Sequence, residues 1–134
     1  MREDDLWNMI PLDVQLFTGE VTGRRLRELA ESWMTASASA PIEQKGGYFT
    51  RQAGMNIIAR INNPDGFRVE QLFIGRRPYK PDRRYSVVFG GQQVAPKDIG
   101  LKRLGPPARD VLRDYLARHD PVRAELTHDR YIWV

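Results

Sequence analysis

The chain contains no cysteine. Disulfides, thiolate nucleophiles and cysteine-ligated zinc or iron–sulfur centres are therefore excluded together, while the compartment stays open. Histidine is nearly missing too, with only His119 and His128. A two-metal hydrolytic centre needs a dense His and Asp set holding its ions ~4 Å apart, and the sequence has no such cluster. His119 falls at a predicted helix end and His128 in Thr127-His128-Asp129, so both read as surface residues. Long apolar runs are absent: mean hydropathy is -0.54, and nothing approaches the ~20 residues of a membrane-spanning helix. The polar opening Met1-Arg2-Glu3-Asp4-Asp5 is not the charged-then-apolar start of a secretion signal. That fits either a cytoplasmic chain or a piece whose address lies upstream. The serines, Ser32, Ser37, Ser39 and Ser86, lie in no Gly-x-Ser-x-Gly elbow. A Ser/His/Asp triad stays open only because its members meet in space rather than in sequence. Phosphate-cradling Gly-x-Gly-x-x-Gly and Walker loops are also missing. Nothing here reads as a self-contained active site.

What is present fits one globular domain. The length of 134 residues, with 41% hydrophobic and 28% charged, is that of a folded chain rather than a disordered one. Leu26, Leu29, Ala30, Trp33 and Met34 recur at helical spacing and predict a helix over 24–34, with Arg24, Arg25, Glu28 and Glu31 outside. Ala108, Val111, Leu112, Tyr115 and Leu116 repeat that spacing, with Pro106 and Pro107 in the first turn and Pro121 beyond the end. Asp4 or Asp5 would cap a short helix over 6–10, stopped by Pro11. Strand-like alternation covers 13–18, 56–61, 67–74 and 85–89, and Asn62-Asn63-Pro64-Asp65-Gly66 is a turn signal. The last three runs predict an antiparallel meander, with a second turn over 75–82. Residues 35–47 read as an exposed connection and 48–54 as a short strand or an ordered loop. Residues 90–100 read as irregular, and 131–134 as an edge strand or docked tail. The fold class expected is α+β: an antiparallel sheet of about four or five strands with two main amphipathic helices packed on it.

Charge supplies the candidates for binding. The balance of 21 Lys and Arg against 17 Asp and Glu gives +4, which permits an anionic ligand without requiring one. Arg76-Arg77-Pro78-Tyr79-Lys80-Pro81-Asp82-Arg83-Arg84-Tyr85 is basic with interleaved tyrosines, a pattern shared by nucleic-acid binders and solvated hairpin loops. Asp82 and the small net charge favour the solvated loop. Arg51, between Phe49 and Ala53, has the chemistry to hold an anionic ligand bidentately or to form a structural ion pair.

Four segments, in order, resemble the C-terminal domain of the 5'-nucleotidase and UDP-sugar hydrolase family, which also contains thiosulfohydrolases. Asp4-Asp5-Leu6-Trp7-Asn8-Met9-Ile10-Pro11 is similar to the family's DLxNxLPF entry. Residues 20–29, from Glu20-Val21-Thr22-Gly23 to Leu29, are similar to its xLTGxxLxxxLE element. Gly46-Gly47-Tyr48-Phe49-Thr50-Arg51-Gln52-Ala53-Gly54 resembles GxFLQVSG, and residues 68–88 resemble RVxxVxVNGKPLDPDKxYTVA. The last match is the most specific, because its Gly, Pro, Pro-Asp and Tyr spacings all hold. Together the segments span roughly 4–90, and the tail beyond looks like a divergent branch.

The resemblance implies that 1–134 is a substrate-recognition domain. An N-terminal metallophosphoesterase domain outside these residues would hold two divalent metal ions and perform the hydrolysis. This chain would then carry no cofactor, catalytic residue or metal ligand of its own. The family stacks a nucleobase between two aromatic rings. Leu12 stands where the first ring is expected and Gln92 where the second is, while Asp98 keeps the place of an acidic partner. The substrate-binding candidates are Phe89, Gln92, Gln93 and Asp98, with Arg51 added from its own chemistry. The implied partners are a nucleotide or related small phosphoester and the catalytic domain, with nucleic acid disfavoured and no membrane span. Family members are mostly exported, which would place a full-length protein in the periplasm or outside the cell. The alternative is a free-standing binding module for nucleic acid or a protein partner, using the basic 76–84 loop.

Overall fold

The computed structural model describes residues 2–12, 14–38, 50–91, 96–119 and 131–134. In chain order the elements are α1 (Glu3–Met9), β1 (Gln15–Thr22), α2 (Gly23–Ala38), β2 (Met55–Ala59), β3 (Val69–Ile74), β4 (Arg77–Pro78), β5 (Arg84–Gly90), β6 (Lys102–Pro107), α3 (Ala108–Arg118) and β7 (Tyr131–Trp133). The α+β class and the two main amphipathic helices are as the periodicity predicts. The strands, however, divide between two sheets, ordered β5-β1-β6 and β4-β3-β2-β7. The chain accordingly forms two compact units, one within 1–21 and 86–125, the other within 22–85 and 126–134.

The first unit is built on β1. Its antiparallel partner β6 sets Phe17 opposite Arg103 and Thr18 opposite Lys102. Pro106 and Pro107 lie in β6, where they have no N–H to give a ladder, and β6 is accordingly an edge strand. The register shifts between Gln15 and Phe17, and the Gln15 amide donates to the Leu104 carbonyl at 2.6 Å. The prolines thus precede α3 rather than sitting in its first turn. Pro107 is the N-cap, with φ -67 and ψ 162, and the Ala108 N–H donates to Val14 O at 2.8 Å. The start of α1 also differs: Asp5 accepts the Arg2 N–H at 2.7 Å from the third helical position instead of capping ahead of it. Arg113 of α3 reaches Glu3 of α1 and Asp110, each at 2.5 Å. These hydrogen bonds, Glu3's first, hold its guanidinium pKa above the ordinary arginine value.

The second unit places α2 on the β2–β3 hairpin. Met55, Ile57 and Ala59 alternate as the buried face of β2. In β3 the alternation breaks: Ile58 pairs with Gln71 but Ala59 with Val69, so Glu70 is an extra residue. That bulge turns Val69 and Leu72, three apart, onto one buried face, and leaves Phe67 71% exposed. The predicted turn is present, with Gly66 at φ 83 and Asn63 Nδ2 donating to Phe67 O at 3.0 Å. The expected meander does not continue into β5. The chain turns at Gly75, φ 59, and β4 pairs with β3 through Ile74 opposite Arg77. Residues 131–133 form an edge strand parallel to β2.

Helix α2 runs to Ala38, taking in residues expected in a connection. Its stripe buries Leu26, Leu29, Ala30 and Met34 as predicted. Glu31, expected outside, is buried at 8% exposure. The reason is the start of β3: the Arg68 and Val69 N–H groups donate to the two Glu31 carboxylate oxygens at 3.0 and 2.8 Å. Arg68 is buried beside it, donating to Ile61 O at 2.9 Å and pairing with Asp65 at 2.5 Å. No helix among the described residues is long and apolar enough to cross a membrane.

Candidate functional site

Of the candidate binding residues, Phe89 and Asp98 lie in the first unit. Phe89 ends the inward face of β5 at 8% exposure, so its ring is enclosed. The chain leaves β5 through Gly91, φ 87, whose N–H donates to Gln15 O at 2.9 Å. A turn over 97–99 presents Asp98 at the surface and inserts Ile99 into the core. Gly19 of β1 permits this insertion, since a Cβ there would stand 2.7 Å from Leu101 Cδ2 and 3.3 Å from Ile99 Cγ2. Gln92 and Gln93 lie outside the described residues, as do His128 and the Gly46–Phe49 part of the third motif. Arg51 is exposed in the second unit, in the segment leading into β2. There Gln52 Nε2 donates to Met55 O at 3.3 Å, and Gly54 O accepts the Gly75 N–H at 2.8 Å. Residues 50–54 form no strand.

One residue escaped the sequence reading. Arg109 of α3 is 8% exposed and stacks on Trp7, its guanidinium carbon 3.2 Å from the ring centroid. Its Nε and Nη2 hydrogens meet no acceptor. These two donors form one edge of the guanidinium fork, the geometry that takes a carboxylate or phosphate bidentately. Arg109, Leu112 and Leu116 share a helical row, whereas Val111 and Tyr115, assigned to the apolar stripe, are 40% and 50% exposed. An arginine bordering a stripe was the available signal.

The basic 76–84 run is an ordered structure in the second unit. Ile74, Arg77, Pro78, Lys80, Arg83 and Tyr85 line a pocket of about 310 Å³. The Lys80 carbonyl accepts the Arg83 N–H at 3.2 Å, closing a turn over 80–83. That turn caps α2: the Gly23 and Arg24 N–H groups donate to Arg83 O and Pro81 O at 2.9 and 2.8 Å. A side chain at residue 23 would run into the Lys80 carbonyl, so the close approach requires glycine.

The family model for the C-terminal domain of 5'-nucleotidases matches residues 1–92. The chain belongs to this family. Three solved structures carry the same fold. The Haemophilus influenzae NAD nucleotidase matches at TM-score 0.74 with 16% identity, over 98% of this chain and 26% of its own. A 5'-nucleotidase precursor from Thermus thermophilus gives 0.69 and 19%, over 96% and 27%. The sulfate thiohydrolase SoxB, also from Thermus thermophilus, gives 0.68 and 22%, over 90% and 22%. The chain thus spans about a quarter of the length of these proteins. The structural likeness covers 90–98% of this chain, more than the residues that the family model matches. No curated protein is similar to the chain by sequence at a significant level. Among the described residues of this family member, no group of three or more His, Asp or Glu could hold a metal ion.

Proposed function

We propose that the chain is the substrate-recognition domain of a 5'-nucleotidase-like metallophosphohydrolase and does not itself catalyse hydrolysis. The observation that carries this reading is the match of residues 1–92 to the C-terminal domain family, on a chain about a quarter as long as its structural relatives. The ligand is a nucleotide or a related small phosphoester; Gln92, Gln93 and Asp98, which follow the enclosed Phe89 in the chain, are the candidates to bind it in the first unit, and Arg51 is a separate candidate in the second. Asp98 offers an acceptor to sugar hydroxyls or base amines, and the glutamines offer both donors and acceptors. With Leu12 and Gln92 at the positions of the family's two rings, recognition rests on hydrogen bonds more than on stacking. The metal ions and the activated water belong to an N-terminal catalytic domain, towards which this domain orients the substrate.

The test is thermal stabilisation of the purified chain by nucleosides, nucleotides, nucleotide sugars and short oligonucleotides at low and moderate salt. A ligand at ~100 times its dissociation constant stabilises the folded state by about 2.7 kcal/mol, a readable shift. Stabilisation by a nucleoside or nucleotide that survives moderate salt, and falls in Asp98→Asn, is the expected result. Hydrolysis by this chain alone, persisting through metal and contaminant controls, overturns the non-catalytic half of the reading.

A further inference from the structure

The pocket at the 80–83 turn is lined by none of the recognition candidates and stands on different observations. Three of its six lining side chains are cationic. The one acid in the basic run, Asp82, is 90% exposed and pairs with Arg24 of α2 at 3.2 Å. Arg77, Lys80 and Arg83 form no ion pair with any described carboxylate. A run that looks self-neutralising in sequence is therefore sorted by the fold, with the acid turned to the helix and the cations left to the pocket.

The backbone that carries the cations is held. Tyr79 N–H donates to Leu72 O at 3.0 Å, fixing the entry to the turn on β3. Lys80 N–H donates to the Tyr85 hydroxyl at 2.9 Å, so that oxygen is oriented and its own hydrogen remains to donate. The Arg83 guanidinium lies over the Tyr85 ring, 5.4 Å from its centroid. With two α2 N–H groups anchoring the same turn, its backbone needs little ordering on binding.

We propose that this pocket is a site for the diphosphate group of a small molecule, either inorganic pyrophosphate or a nucleoside diphosphate. Size and charge select that class. At ~30 Å³ per water, about 310 Å³ holds roughly ten waters, more than one phosphoryl group displaces. A single phosphate monoester carries only about -1.5 to -2 at pH 7 and leaves the three cations partly uncompensated. A diphosphate balances them. Arg77 and Arg83 supply forks for paired phosphate oxygens, Lys80 a point charge and Tyr85 a hydroxyl donor.

The experiment is an amide NMR titration of this chain with pyrophosphate, ADP, orthophosphate, adenosine and a short single-stranded oligonucleotide. Expected are shifts confined to residues 74–85 with pyrophosphate, and weaker binding of orthophosphate. Arg77→Gln and Arg83→Gln should each weaken pyrophosphate roughly tenfold, the scale of one lost charge-assisted hydrogen bond. Arg118→Gln, remote in sequence and exposed, should leave it unchanged. Equal affinity for pyrophosphate and ADP assigns the site to the phosphates alone, whereas tighter ADP assigns a nucleoside diphosphate. The proposal is overturned if Arg77→Gln has no effect, if Arg118→Gln weakens binding as much, or if only the oligonucleotide binds, with a steep loss in salt. Adenosine cannot engage these cations. Its binding without pyrophosphate binding therefore overturns this site and leaves the recognition reading intact, and the reverse result separates them the other way.

Discussion

In the unit built on α2, a long helix lays Leu26, Leu29, Ala30 and Met34 against the buried faces of β2 and β3, where Ile57, Val69 and Leu72 are at most 2% exposed. In the unit built on β1, three strands and two shorter helices bury Leu6, Val21, Phe89 and Ile99 and leave Trp7, Met9, Leu12, Val88 and Tyr115 exposed. Their buried charges differ in the same sense. Glu31 accepts two backbone N–H groups at the start of β3, whereas Arg109 keeps two donors without acceptors. A satisfied buried carboxylate fixes one element on another. An unsatisfied buried guanidinium is held by packing alone and costs stability. Local stability is expected to follow, higher around α2 and lower around α3.

The sharpest way to break this comparison is Glu31→Ala. It strands the buried Arg68 and Val69 N–H donors and takes the carboxylate away from Arg27, and should lower unfolding stability by about 3 kcal/mol in urea denaturation. Hydrogen exchange should report the loss first at Arg68 and Val69. A cost below about 1 kcal/mol would mean that Glu31 is not what holds α2 to β3.

Gly23→Ala comes next. The added methyl must push the Lys80 carbonyl and meets Tyr79 Cδ2 at 3.0 Å, an overpacking cost of about 2 kcal/mol. Because that turn carries two of the pocket's three cations, Lys80 and Arg83, the variant should also bind pyrophosphate more weakly although it removes no charge. An unchanged affinity would separate the turn's packing from the pocket.

The smallest effect is expected from Arg109→Met. It gives up the stacking on Trp7 but removes two buried donors that have no acceptor, and these roughly cancel to within ~1 kcal/mol. A loss matching that of Glu31→Ala would show Arg109 to be a structural anchor and erase the contrast between the units.

The legible parts of the chain were those where one periodicity ruled. Leu26, Leu29, Ala30 and Met34 predicted the buried stripe of α2, and Ile57 and Ala59 the inner face of β2, because local spacing alone decides which side chains share a face. Glu31 was not legible: a carboxylate beside an apolar stripe reads as solvated until the N–H groups it caps, 37 and 38 residues away, are in place. The same holds for Leu72, since nothing local announces the bulge at Glu70 that turns it inward. Of the recognition candidates, Phe89 lies at the end of the predicted strand, Asp98 lies in a turn within the segment read as irregular, and Arg51 lies on the approach to β2.

Composition and motif spacing by themselves determined the α+β class, the buried stripe of α2, the Asn62–Gly66 turn and the family, since these depend on residue identity and short-range spacing. Only the tertiary structure decided that the strands divide into two sheets and that prolines 106 and 107 close an edge strand. It alone also decided that Asp82 faces Arg24 while Arg77, Lys80 and Arg83 line one pocket. Strand partners and ion-pair partners are chosen by which backbones come together across long stretches of chain. A linear reading of charge counts an acid and its neighbours as one neutralised patch, whereas in the folded chain a single turn capped onto a helix separates them.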